Sequence, residues 1–144
     1  MLFFIFVNLF TSGLAVAVHY EALAWISLRL SEIDMSHRLR ILIGLVGCLL
    51  AHIVEVCIFA VAYHVLIKFE KFGNIEISGD IHGNFNPTLL DCVYFSLVNY
   101  TSLGYGDIVP VGPLQFLAGL EALVGLVLIA WTASFMFFLM QKNW

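Results

Sequence analysis

Residues 101–107, TSLGYGD, combine hydroxyl side chains, two glycines around a tyrosine, and a terminal acid. Glycine lacks a Cβ, so Gly104 and Gly106 allow backbone conformations that turn successive carbonyl oxygens the same way. Carbonyl oxygens in such an arrangement can replace the hydration shell of a cation. Long apolar runs flank the segment, and non-helical backbone at membrane depth is tolerated only where protein buries it or where it lines a water-filled cavity. The pattern therefore favours a cation site built from the backbone.

A second group with chemical potential is the sequence HIVE, which places His52 and Glu55 three residues apart on one face of a predicted helix. An acid inside a membrane span is a functional candidate by default. Two interpretations stay open: Glu55 takes part in function, or it is protonated or hydrogen-bonded and supports the fold. The HExxH spacing of a zinc hydrolase is absent from the sequence. A membrane enzyme or metal-binding protein centred on this pair is an alternative hypothesis.

The composition indicates that these residues belong to a membrane protein. Of the 144 residues, 62% are hydrophobic and 11% are charged, whereas a soluble domain is usually about half apolar and about a quarter charged. A chain of this size cannot bury so much apolar surface within its own volume, so membrane lipid is the expected solvent. The net charge of −4 suggests no nucleic-acid partner. The three cysteines show no metal-ligand spacing: Cys48, Cys57 and Cys92.

The apolar runs predict an all-α membrane protein with three transmembrane helices and one shorter, re-entrant helix. In chain order the predicted elements are a first span at residues 1–30, a connector at 31–40, a second span at 41–69, a polar loop at 70–86, a short helix at 87–101, the glycine-rich segment at 102–107 and a last span at 114–141. At about 1.5 Å per residue the short helix reaches only about 20 Å, which is too short to cross a bilayer. Asn86 or Thr88 is its predicted cap, Pro87 suits its first turn, and Asp91 complements its dipole.

GYGD, preceded by Thr-Ser-Leu and a short capped helix between two spans, resembles the signature of potassium channels, usually Thr-Val-Gly-Tyr-Gly-Asp. The resemblance covers roughly residues 41–140 and is to the prokaryotic channels with a two-helix pore, here with an extra N-terminal span. It implies that residues 41–144 are a pore domain. In that domain the second span (41–69) is the outer helix, the short helix (87–101) is the pore helix, the glycine-rich segment (102–107) is the filter and the last span (114–141) is the inner helix. It also implies a fourfold homotetramer, K⁺ ions in the pore, no organic cofactor and no enzymatic activity.

The resemblance implies a role for each residue of the filter. The K⁺-binding residues would be Thr101, Ser102, Leu103, Gly104, Tyr105 and Gly106. Carbonyls from Ser102 to Tyr105 would line the ion sites, and the Ser102 hydroxyl would close the innermost one. Serine in place of threonine loses a methyl that stiffens χ1, and leucine in place of valine loses β-branching. A weakly selective Na⁺/K⁺ channel is therefore one alternative, and a non-conducting auxiliary subunit is another.

Further residues are expected to support the filter. Asp107 is implied at the outer mouth, where a pore-helix aromatic residue would hydrogen-bond it; of Tyr94 and Phe95, only Tyr94 offers a donor. Asn99 is expected to pack behind the filter with its amide bonded locally. Glu55 is grouped with these supporting residues.

Four residues of the last span are candidates for gating. Gly119 and Gly125 are interpreted either as a hinge or as sites of close helix packing, with Gly125 the better hinge candidate because it is deeper. Phe135 and Phe138 are candidates for an inner gate, since apolar rings at a constriction can gate by dewetting.

Three polar residues of the same span have other interpretations. Glu121 is expected to bond to neighbouring structure rather than to permeant ions. Thr132 and Ser134 are expected either to face a water-filled cavity or to hydrogen-bond their own helix.

The basic residues indicate an orientation. Four lie on one side of the predicted membrane and two on the other: Arg29, Arg38, Arg40 and Lys142 against Lys68 and Lys71. This places the C-terminus in the cytoplasm and the N-terminus outside in a multi-pass protein of the cell membrane, which is the inner membrane in a bacterium. The first span lacks the regular arginines of a voltage sensor, and a separate regulatory subunit is left open.

Overall fold

The computed structural model describes residues 2–32, 36–79 and 85–143. Within these residues the chain forms helices α1 (Leu2–Glu32), α2 (His37–Ile67), α3 (Leu89–Tyr100) and α4 (Leu114–Asn143), strands β1 (Asn74–Ile77) and β2 (Ile108–Val111), and a 3₁₀ turn at Glu70–Phe72. The segments Leu2–Leu30, His37–Ile67 and Leu114–Gln141 are long and apolar enough to cross a membrane. With 12 residues, α3 is too short to do so. The predicted all-α membrane fold is confirmed.

The connector predicted at residues 31–40 is shorter than expected, because α2 already begins at His37. Ser36 has extended backbone and precedes the helix. Arginine is a good helix former, so the charged residues mark the edge of the apolar span without ending the helix. At its other end α2 stops at Ile67, two residues before the predicted boundary. Residues 33–35 lie outside the described part of the chain.

The N-terminus of α3 is closed by a capping box. The Thr88 hydroxyl accepts a hydrogen bond from the Asp91 amide at 3.3 Å, and the Asp91 carboxylate accepts one from the Thr88 amide at 2.8 Å. The Thr88 hydroxyl also donates to the Asp91 carboxylate at 2.6 Å, and this bond, followed by that from the Thr88 amide, holds the pKa of Asp91 below its usual range. Of the two predicted caps, Thr88 is the one used. Pro87 therefore precedes the cap, and its predicted place in the first turn is wrong.

A two-stranded sheet occupies part of the predicted polar loop. Strands β1 and β2 are antiparallel, with Asn74 opposite Val111 and Ile77 opposite Ile108. Gly73, just before β1, lies so close to β2 that a side chain there would overlap the Val111 carbonyl oxygen. The sheet therefore ties the outer loop to the residues that follow the glycine-rich segment. Residues 80–84 of that loop lie outside the described residues.

Helix α1 packs antiparallel to α2 and also contacts α4. At one end the ring of Phe3 lies 6.2 Å from that of Phe69, just after α2. At the other end a Cβ on Gly44 would lie 3.4 Å from Leu30 of α1 and 2.6 Å from Leu139 of α4, so Gly44 lets the three helices converge. The first span thus contacts both helices that flank α3, a position that nothing in its own sequence specified.

Candidate functional site

The glycine-rich segment leaves α3 as an irregular strip that is exposed along residues 101–107. Its φ angles alternate in sign: Ser102, Gly104 and Gly106 have φ of +56°, +55° and +78°, whereas Leu103 and Tyr105 between them are not in the positive region. Alternation in the sign of φ can turn successive peptide groups so that carbonyl oxygens share one side of the strip and amides the other. The φ angles of the strip are therefore compatible with a row of carbonyl ligands.

The amides at the inner end of the strip point towards α3. The Val98 carbonyl accepts hydrogen bonds from the Leu103 amide at 3.0 Å and the Gly104 amide at 3.3 Å, and the Asn99 carbonyl accepts one from the Ser102 amide at 2.8 Å. Within the described part of the chain, no backbone amide donates to the carbonyls of residues 102–106. The end of α3 thus fixes the amides of the strip and leaves its carbonyl oxygens available for another partner.

The outer end of the strip is held by a side chain and by the sheet. The Tyr94 hydroxyl donates a 2.6 Å hydrogen bond to the Asp107 carboxylate. The Asp107 carbonyl accepts a 2.8 Å hydrogen bond from the Ser78 amide, next to β1. The hydrogen bond from Tyr94 lowers the pKa of Asp107 and, in turn, raises the pKa of Tyr94. The strip is therefore anchored at both ends.

Two residues lie where α3 meets the strip. The Thr101 hydroxyl donates to the Leu97 carbonyl at 2.8 Å and so ties the start of the strip to the last turn of α3; the predicted part of Thr101 in ion binding stays a prediction. The Asn99 side-chain nitrogen is buried and has no hydrogen-bond partner among the described residues. The expected local bond is therefore not made by this nitrogen, and the expectation that Asn99 supports the filter stays a prediction.

Glu55 lies in a buried polar cluster that brings four helices together. Its carboxylate contacts His52 Nδ1 at 3.0 Å, His19 Nδ1 of α1 at 2.8 Å, and the Tyr100 hydroxyl at the end of α3. The hydrogen bonds of Glu55 to His52 and to the short helix agree with the supporting role predicted for it, and a functional role for the same acid stays open. The sequence analysis did not identify His19 or Tyr100 as partners of Glu55. For His19, the presence of a histidine in an apolar span is the sequence feature that could have indicated it.

Thr132 completes this cluster from α4. Its hydroxyl oxygen lies 3.0 Å from His52 Nε2 and 3.4 Å from His19 Nε2. The hydroxyl thus bonds to α1 and α2 in place of the bond to its own helix that was one expectation for Thr132, and the other expectation, a water-filled cavity, stays a prediction. Ser134 does bond its own helix, donating to the Ala130 carbonyl at 3.2 Å.

Glu121 forms a second buried contact behind α3. Its side chain is fully buried, accepts a 2.6 Å hydrogen bond from the Tyr63 hydroxyl of α2, and also contacts the Ser96 hydroxyl of α3. The acid therefore bonds to neighbouring structure, as expected, and joins α2, α3 and α4.

The two glycines of α4 differ in their surroundings. A Cβ on Gly125 would overlap the Tyr100 carbonyl oxygen, whereas one on Gly119 would meet nothing within 4 Å. Gly125 is therefore a close-packing site at the end of α3, which was one of its two interpretations, and its role as a hinge stays a prediction. Phe135 packs against the cluster of Leu23, Ile26, Leu30 and Cys48 and is turned towards α1 and α2. The inner-gate prediction is left to Phe138, which is exposed.

Comparison with known protein families matches residues 51–142 to a family described as ion channels. The match spans most of α2, all of α3, the strip and nearly all of α4, which is more than half of the chain. The chain belongs to this ion channel family. No curated protein and no solved structure matches the chain. In this channel α1, and with it His19, lies outside the part that defines the family.

Proposed function

We propose that the channel conducts K⁺ selectively through a filter formed by residues 102–106 of four identical chains. The observation that carries the proposal is the anchored strip with alternating φ and free carbonyl oxygens. A dehydrated K⁺ ion needs a ring of such oxygens around it. A single chain supplies one side of the ring, so four copies around an axis complete it.

The exposure of the strip supports this assembly. On a single chain Leu103 is 56% exposed and Tyr105 is 69% exposed, although both ends of the strip are fixed. Bare backbone carbonyls inside a membrane need cover from protein or water. Neighbouring chains would cover the side chains, while the carbonyls would face the shared axis and its ions.

The position of α3 adds an electrostatic contribution. Its C-terminus, at Tyr100, leads directly into the filter, and the carbonyl end of a helix carries a partial negative charge. Four such ends directed at one axis would favour a cation at the base of the filter. We place the C-terminus in the cytoplasm and the filter mouth outside in the cell membrane, on the bias of basic residues.

The test is ion flux through the purified full chain in liposomes, with Gly106→Ala as the diagnostic variant. Gly79→Ala is a matched control, since Gly79 has φ of +87° against +78° for Gly106 and a Cβ at either position would meet nothing within 4 Å. Both changes place a Cβ on a residue with positive φ, but only Gly106 lies in the proposed filter. We expect K⁺ flux well above Na⁺ flux, its loss in Gly106→Ala, and its retention in Gly79→Ala.

Two results would contradict the proposal. Equal Na⁺ and K⁺ fluxes would assign the protein to weakly selective cation channels, in keeping with serine and leucine at positions 102 and 103. A purified chain that is monomeric and passes no ion would favour an auxiliary subunit.

A further inference from the structure

The cluster around Glu55 has the composition of a metal site. Two imidazoles and one carboxylate approach from two helices, and the candidate ligand atoms of His19, His52 and Glu55 all lie within 4.8 Å of one another. His19 and Glu55 are fully buried, and the side chain of His52 is 15% exposed. Two histidines and one carboxylate are a ligand set for Zn²⁺ sites in which a fourth position is filled by another oxygen.

The geometry indicates which atoms would bind. Both Nδ1 atoms face Glu55, at 2.8 Å for His19 and 3.0 Å for His52. The Tyr100 hydroxyl lies 2.8 Å from His52 Nδ1, so a fourth oxygen is already present. Metal–ligand distances of about 2.0–2.2 Å in a tetrahedron imply ligand separations of about 3.4 Å. The observed contacts of 2.8–3.0 Å are hydrogen-bond distances, so the side chains would have to rotate apart to admit an ion among them.

Thr132 supports the same assignment from the other side of the rings. A hydroxyl oxygen has two lone pairs but a single proton, and both Nε2 atoms face the Thr132 hydroxyl. Thr132 can accept a hydrogen bond from both Nε2–H groups but can donate to only one of them. In that tautomer the Nδ1 lone pairs would be free to bind an ion beside Glu55, and the ion would replace the protons that the Nδ1–Glu55 hydrogen bonds require in its absence. Metal-binding histidines characteristically donate their other ring N–H to such a partner.

We propose that His19, His52 and Glu55 bind one divalent first-row transition-metal ion, of which Zn²⁺ is the best match, inside the membrane. Imidazole nitrogens disfavour Ca²⁺ and Mg²⁺, which prefer oxygen ligands, and no thiolate of the described residues joins the donor set. The site would join α1 to α2 through the ion. The ion would also lie close to the proposed filter, because Tyr100 contacts Glu55 and only Thr101 separates Tyr100 from residues 102–106.

The test is metal binding by the full chain, purified without a histidine tag and stripped with a chelator. Co²⁺ serves as the probe, because tetrahedral Co²⁺ absorbs strongly in the visible and Zn²⁺ displaces it. We expect one Co²⁺ per chain, with absorption abolished by His19→Gln and by Glu55→Gln. Glutamine keeps a hydrogen-bonding group of similar length, and the helical circular dichroism of each variant checks its fold. His64→Gln, on α2 and outside the cluster, is the control that should bind normally.

A graded variant separates a metal site from a hydrogen-bonded cluster. Thr132→Val should weaken Co²⁺ binding by about 10- to 100-fold, the usual effect of losing a partner of a metal-bound histidine, and Thr132→Ser should restore it. Absence of Co²⁺ absorption in the wild-type chain would overturn the proposal. Absorption that is unchanged in folded His19→Gln or His52→Gln would overturn it equally.

An effect of the ion on conduction rests additionally on the proposed function. Because Tyr100 contacts Glu55 and directly precedes the strip, Zn²⁺ should change K⁺ flux in the wild-type chain and not in His19→Gln. Metal binding without any change in flux would overturn this coupling alone. Absence of flux with normal Co²⁺ binding would overturn the proposed function and leave the metal site in place.

Discussion

The Tyr94 hydroxyl lies 2.6 Å from the Asp107 carboxylate and joins the middle of α3 to the outer end of the filter strip. The two residues are 13 positions apart, and the whole strip lies between them. At its inner end the strip is held by backbone bonds that no side-chain substitution removes. The Tyr94–Asp107 bond is therefore the point at which the filter geometry is most open to a conservative change.

Tyr94→Phe should weaken selectivity more than folding. The variant keeps the ring and removes only the donor, so the outer end of the strip gains freedom while the helices are unaffected. We expect a reduced ratio of K⁺ to Na⁺ flux in liposomes with an unchanged unfolding temperature. Tyr20→Phe is the control, since Tyr20 is 56% exposed on α1 and its ring lies 6.4 Å from that of Trp131. An unchanged flux ratio in Tyr94→Phe would show that the sheet alone holds the outer end.

The same bond predicts a shift in pH dependence. Hydrogen bonding to Tyr94 lowers the pKa of Asp107, so the bond to the ionised acid contributes above the usual carboxyl range and is lost as pH falls through the lowered pKa. In Tyr94→Phe the pKa of Asp107 should rise towards its ordinary value. The acid limb of the flux–pH curve should therefore move to higher pH in Tyr94→Phe and disappear in Asp107→Asn. Coincident acid limbs in the wild type and Tyr94→Phe would contradict this account.

The sequence predicted the parts of this molecule that depend on local pattern. Three apolar runs, a capped short helix and the GYGD segment can each be recognised within a few dozen residues. The strands could not, because each has four residues, too few for a periodicity. The contact of His19 with Glu55 joins positions 36 residues apart and depends on how α1 is rotated about its axis. A span that is apolar nearly all round carries little information about that rotation.

The two glycines of α4 show the same limit. In the sequence, Gly119 and Gly125 are both single glycines in an apolar helix. Only the greater predicted depth of Gly125 made it the better hinge candidate. Only the position of Tyr100 distinguishes them, since its carbonyl lies against the Gly125 Cα. Close packing and hinge motion both call for glycine, so residue type could not decide between them.

Gly125→Ala should impair the filter from behind. The added methyl would overlap the Tyr100 carbonyl oxygen and lie 3.1 Å from its ring, so either α4 or the end of α3 must move. Overpacking of this kind costs typically about 1–3 kcal/mol, and the displaced end of α3 leads directly into residues 102–106. We expect most K⁺ flux to be lost and the unfolding temperature to fall. Gly119→Ala, with open space at the Cβ position, should keep both close to wild type.

Tyr63→Phe should lower stability without altering the filter strip. The Tyr63 hydroxyl donates a 2.6 Å hydrogen bond to Glu121, and both side chains are fully buried. Removing the donor leaves the acid with Ser96 as its remaining contact, at a cost of roughly 1 kcal/mol for a buried hydrogen bond. Thermal unfolding in detergent should show a lower midpoint for Tyr63→Phe than for wild type or Tyr20→Phe. The K⁺/Na⁺ flux ratio should stay the same, because neither Tyr63 nor Glu121 contacts residues 102–106. A changed ratio at unchanged stability would instead place Glu121 in the path that determines ion selectivity.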